Sequence, residues 1–184
     1  MSSSHGQHNN RRCGCLKTAT ATQSLDELEF ERGIWSAAID NDEHKLRSLI
    51  EKGHLSDRDN SGYTALHYAA RNGHLSICRI LLDSGISVDE TTHGGATALH
   101  RAAMMGHHQI VELLLTRKAD PLLQDSDGKT ALHRAAERGH LDTCRILVRQ
   151  NGTAATIRDG KGNTPLDTVD PHAPHYAALK VLLS

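Results

Sequence analysis

Aromatic residues make up only 3% of this 184-residue chain, with one Trp, one Phe and three Tyr. Its core must therefore be built from Leu, Ile, Val and Ala, which suits thin layers of short helices better than a thick sandwich. No apolar run approaches the roughly 18 residues of a membrane-spanning helix, so none is expected. The opening residues, MSSSHGQHNNRRCGC, lack the apolar stretch of a secretory signal. The four cysteines are accordingly expected as reduced thiols, in the cytoplasm or the nucleus. A net charge of −1 leaves no general excess of basic charge for nucleic acid or a membrane surface.

Acidic residues are missing from residues 1–23, which hold Arg11, Arg12 and Lys17 among Ser, Thr, Asn and Gly. That composition reads as a disordered basic arm. The acidic stretch SLDELEFE follows, with Ser24 and Glu27 at capping-box spacing, so a short helix is expected to begin there.

What the chain has in quantity is itself, repeated. GYTALHYAARNGHLSICRILLDSG begins at Gly62, GATALHRAAMMGHHQIVELLLTRK at Gly95 and GKTALHRAAERGHLDTCRILVRQN at Gly128, each 33 residues after the last. A shorter copy, GNTPLDTVD, begins at Gly162, and a degenerate one, GIWSAAIDNDEHKLRSLIEKG, at Gly33. In the three full copies Thr64, Thr97 and Thr130 stand as N-caps, as does Thr164 in the short one. His67, His100 and His133 lie three residues on, where a polar side chain bonds back to the cap. Gly73, Gly106 and Gly139 suit a left-handed helix end. An outer helix follows, with Leu75, Cys78, Leu81 and Leu82 predicted on one face, and then a polar turn. One such unit cannot bury its apolar face alone, so several must stack.

The period and the wording T-A-L-H-x-A-A-x-x-G-H resemble the ankyrin repeat. The resemblance implies an all-α repeat solenoid of about four repeats plus a C-terminal cap. The repeats are expected at about residues 30–61, 62–94, 95–127 and 128–161 and the cap at 162–184, within a domain of residues 24–184. It also implies a concave face made by turn tips and inner helices, and a protein-binding scaffold or adaptor with no cofactor. The ends depart from the pattern. Trp35 takes the His position and Asn41 the glycine position of the first copy; Asp167 takes the His position of the last, where Pro171 and Pro174 separate a short helix from HYAALKVLLS. Both ends read as caps.

Several strings imitate chemical motifs. His133, Glu137, His140 and Cys144 have zinc-like spacing, but their counterparts one copy earlier are His100, Met104, His107 and Val111. A metal shell requires its ligands, whereas a packing position accepts Cys or Val. GKT at Gly128 lacks the earlier glycine of a phosphate loop, since position 123 is Leu123. DSDG at Asp125 lacks the first and last ligands of a calcium loop. No Ser/His/Asp set stands outside the repeat scaffold, so no catalytic centre is expected. His5, His8, Cys13 and Cys15 in the arm could bind a metal or respond to redox state, which would make the protein a metal- or redox-responsive adaptor. Cys13 and Cys15 are also conceivable lipidation sites.

Recognition is expected on the variable positions: Tyr63, Tyr68, Arg71 and Asn72, then His93, Arg101, Met104 and Met105, then Lys129, Arg134, Glu137 and Arg138. Adjacent exposed Met104 and Met105 would form an adaptable apolar contact. Arg71, Arg101, Arg134 and Arg138 would form a basic stripe around it, with Tyr63 and Tyr68 beside it. Such a surface fits a protein partner with an acidic segment and an apolar anchor. Neither nucleic acid nor membrane is expected as a partner, and the protein is expected to be a monomer.

Overall fold

Each repeat turns its Thr–His spacing into a helix start and its Gly into a helix stop. The computed structural model describes residues 33–183. The basic arm, with His5, His8, Cys13 and Cys15, and the expected helix start at Ser24 lie outside the described residues. An inner row holds α1 (Ile34–Ile39), α3 (Ala65–Asn72), α5 (Ala98–Met105) and α7 (Ala131–Glu137). An outer row holds α2 (Glu43–Glu51), α4 (Leu75–Asp83), α6 (His108–Thr116), α8 (Leu141–Gln150) and α9 (Tyr176–Leu183). Each inner helix packs on the next inner helix and on its own outer helix. No strand forms among the described residues.

The caps explain the inner row. At Thr64 the His67 backbone bonds the Thr side chain while His67 Nδ1 accepts the Thr64 N–H at 3.2 Å. The same box closes at Thr97 and Thr130. The three Thr and three His are buried, so the polar groups at these helix starts are satisfied without water. The far nitrogen of each ring reaches the following repeat: His67 Nε2 donates to the Ala96 carbonyl at 3.0 Å, His100 to Lys129 at 3.0 Å and His133 to Asn163 at 3.1 Å. A carbonyl only accepts, so the proton sits on Nε2 and Nδ1 is left free to accept.

A second row of histidines ties the repeats in the opposite direction. His74 Nε2 donates to the Ile39 carbonyl at 2.8 Å, His107 to Arg71 at 3.0 Å and His140 to Met104 at 3.1 Å. Gly106 shows why glycine stands between these rows. Its φ is +76°, and a Cβ there would lie 2.5 Å from His140 Nδ1. In the first copy Asn41 takes the left-handed conformation, with φ +57°, and Trp35 Nε1 donates to the Asp57 carbonyl at 3.3 Å in place of the missing imidazole.

The core runs unbroken through the stack, with Leu66, Leu99 and Leu132 at matching depths in the inner row and Leu81, Leu114 and Leu147 in the outer row. Burying each such side chain contributes about 1.5–3 kcal/mol. The outer-helix face differs from the predicted one. Ile77, Cys78 and Leu81 are fully buried, while Leu75 and Leu82 are only partly so. Leu75 is the first residue of α4, and residues 77, 78 and 81 fall on the side that meets the inner row.

The turns project as fingers, joined tip to tip by single backbone bonds. His93 N–H donates to Ser61 O at 3.0 Å, Ser126 to Gly94 at 2.8 Å and Gly160 to Asp127 at 2.9 Å. The last copy departs further than expected. Thr164 and Asp167 exchange the cap bonds that Thr and His make elsewhere, but only a turn follows. Pro171 lies where an inner helix would continue, and proline cannot supply its N–H. Ahead of this copy, α8 is followed by a 3-10 turn, Gly152–Thr156.

Candidate functional site

Three corresponding positions in each finger and inner helix decide the charge of the face that these elements share. In the first full copy they are Asp59, Tyr63 and Tyr68. In the second they are Thr92, Ala96 and Arg101, and in the third Asp125, Lys129 and Arg134.

Asp59 uses its two oxygens differently. Oδ1 accepts the Ser61 and Tyr63 amides at 2.9 and 2.8 Å, which shapes the turn. Oδ2 accepts the Tyr68 hydroxyl at 2.6 Å, and burial together with this carboxylate pushes the Tyr68 phenol above its ordinary value. Asp125 repeats the arrangement. Its Oδ1 accepts the Asp127 and Lys129 amides at 3.0 and 3.1 Å, and its Oδ2 accepts Arg134 Nε at 2.8 Å. Arg134 also reaches Asp127 at 2.8 Å, and Glu137 pairs with Lys129. The charges of Lys129, Arg134 and Glu137 are thus spent within the third repeat, and Arg134 is no part of a free basic stripe.

The second copy breaks the rule. Thr92 has one side-chain oxygen, and it accepts the Ala96 amide at 3.2 Å. Nothing is left for Arg101. Its guanidinium carbon lies 4.9 Å from the Tyr63 ring centroid, and its Nε is buried with no acceptor among the described residues. No carboxylate among the described residues pairs with it. Tyr63 in turn stands 5.3 Å from Tyr68, ring centre to ring centre. The face therefore presents a half-buried cation on a two-ring platform.

Around it the predicted residues divide. Arg71 and Asn72 at the end of α3, His93 on its finger and Arg138 after α7 are exposed. Met105 is 45% exposed, but Met104 is half-buried and its carbonyl holds His140, so the pair is not two equal exposed anchors. That Arg101 finds no carboxylate among the described residues was beyond sequence reasoning, although Thr at position 92 in place of Asp was its visible signal.

The residues of the zinc-like string are occupied elsewhere: His133 in its cap, His140 on Met104, Glu137 on Lys129 and Cys144 in the core. Burial pushes the Cys78 and Cys144 thiols up to about 12, which leaves them unreactive near neutrality. Two clefts of about 320 Å³ lie away from Arg101, one between α2 and α4, the other beside Gly106 and Gly139.

Residues 34–125, and again 99–183, match the family described as ankyrin repeats (3 copies). The chain belongs to the ankyrin-repeat family. Over 72 residues it is 53% identical to human ankyrin repeat domain-containing protein 39, covering 39% of each chain. Over 53 residues it is 58% identical to the Bos taurus protein of that name, covering 28% of this chain and 29% of the other. Palmitoyltransferase AKR1 of Yarrowia lipolytica is 35% identical over 75 residues, 39% of this chain but 11% of that protein. The matched segments thus span at most about two-fifths of these relatives. Ankyrin repeats indicate a role in protein–protein interaction, and proteins built of them are typically not enzymes. No helix among the described residues is long and apolar enough to cross a membrane.

Proposed function

We propose that this protein is a non-enzymatic adaptor that binds an acidic segment of a partner protein on the concave face of its second and third repeats. The observation that carries this reading is Arg101. It occupies the position of Arg134, yet Thr92 stands where Arg134 finds Asp125. A carboxylate delivered by a partner would complete that pair and satisfy the buried Nε–H. Tyr63 holds the guanidinium in place beforehand, which lowers the ordering cost of binding. Met105 supplies an apolar contact beside it, and Arg71 and Arg138 add like charge around the rim.

Affinity capture from a cell extract tests the site. Arg101→Glu combined with Met105→Glu should lose the captured proteins at unchanged helical circular dichroism, and an unchanged set would remove this surface from the function. The same proposal places the protein in the cytoplasm or nucleus as a monomer, checked by fractionation and light scattering.

A further inference from the structure

The outer row also sets a paired arginine against unpaired ones. Arg145 of α8 follows the buried Cys144 and pairs with Asp142, three residues before it, at 2.9 Å. Arg47 of α2 and Arg79 of α4 hold the same place, each directly after a buried residue, Leu46 and Cys78. Three residues before them stand His44 and Ser76, and neither supplies a carboxylate. Asp83, four residues after Arg79, is taken by Arg117 at 2.8 Å. Glu43, four residues before Arg47, forms no ion pair among the described residues, and neither do Arg47 and Arg79. Both arginines are exposed, and both line the cleft of about 320 Å³ between α2 and α4. Ser76 lines it too, and its hydroxyl donates to Asn41 Oδ1 at 3.4 Å, a long bond that a better acceptor would replace. Leu75 and Ile80 give the cleft an apolar wall, and Glu43 sets one negative charge against the two positive ones.

We propose that this cleft binds a phosphorylated serine of a partner protein, at a second site independent of Arg101. The donor set decides the chemistry. A carboxylate offers two oxygens, which one guanidinium fork already satisfies. A phosphate monoester offers three free oxygens and close to two negative charges, which suits two forks and a hydroxyl and outweighs the charge of Glu43. Arg47 and Arg79 would hold the phosphate from the two helices, Ser76 would donate to its third oxygen, and the carbons of the phosphorylated residue would lie against Leu75 and Ile80. The cleft has the volume of a small-ligand site. A protein is the source because the repeats indicate protein–protein interaction.

The test follows the backbone amide resonances of Arg47, Ser76 and Arg79 in the full chain. Three probes are titrated: a blocked alanine peptide with one central phosphoserine, the same peptide with glutamate in its place, and phenyl phosphate. The phosphoserine peptide should move all three resonances and bind about tenfold more tightly than the glutamate peptide. Arg47→Gln and Arg79→Gln should each weaken it about tenfold at unchanged helical circular dichroism, because each removes one charge-assisted pair. Arg101→Gln should leave these shifts as they are. Resonances that stay still, or equal binding of the two peptides, would overturn the phosphate site. Binding that survives both outer-row variants but is lost in Arg101→Gln would place the phosphate on the inner row and overturn it as well. Phenyl phosphate binding well above the phosphoserine peptide would assign the cleft to small phosphate esters and overturn the protein source.

Discussion

Acid should unfold this protein through His67. The ring is fully buried and its Nδ1 accepts the Thr64 N–H, so a proton on Nδ1 would break the cap as well as place a charge in the core. Burial, with added repulsion from Arg101 and Arg58, lowers its pKa from 6.5 to about 4, against the smaller opposing pull of the Ala96 carbonyl and Asp59. The folded pKa lies below the unfolded one, so the unfolded chain takes up the proton first as pH falls. The stability from neutral His67 is therefore complete above about pH 6.5, drains away towards pH 4 and changes no further below that. A shift of about 2.5 units at 1.36 kcal/mol each amounts to about 3 kcal/mol. His100 and His133 are displaced in the same direction by burial and add to the loss. Asp159 and Asp167, whose carboxyls hydrogen bonds hold below the ordinary 3.8, act only at lower pH. Urea unfolding followed by circular dichroism, stepped from pH 7.5 to 4, measures the effect. His67→Gln keeps an amide donor but does not titrate. It should start less stable and then lose about 3 kcal/mol less than the wild type over that range. Parallel loss in both proteins would refute the argument.

Leu99→Ala removes a side chain buried between α3 and α7 and should cost about 2–5 kcal/mol in chemical unfolding; a change near zero would take Leu99 out of the core. Gly128→Ala adds a Cβ against the Gly160 backbone at a φ of +73° and should cost more than about 1 kcal/mol; a variant as stable as wild type would show that the fingers do not meet there. Thr92→Asp gives Arg101 the partner that Arg134 has. It should weaken capture of an acidic partner without destabilising the fold, and full retention of capture would mean that Arg101 does not need a carboxylate from outside.

The helix starts and stops were legible because they are local. A Thr with His three residues on, and a Gly nine residues after the Thr, specify a cap and a left-handed end within a single short helix. The outer-helix face was less so. Leu75 obeys the helical period but opens α4, while Ile77, which the expected face omitted, is fully buried. The helix expected after Thr164 also failed, because its cap bonds form but Pro171 interrupts what would follow.

The basic stripe shows where local reading ends. Arg101 and Arg134 occupy one register position, and sequence alone gives them the same charge and the same helix. Whether that charge is spent depends on the residue nine positions earlier, which the finger folds back against the inner helix. Asp125 has a second oxygen to give and Thr92 does not. By itself, then, the sequence determined the repeat and its caps. The tertiary structure alone decided which cation of that register has no carboxylate among the described residues, because pairing is a contact between two elements and is absent from the pattern of either one.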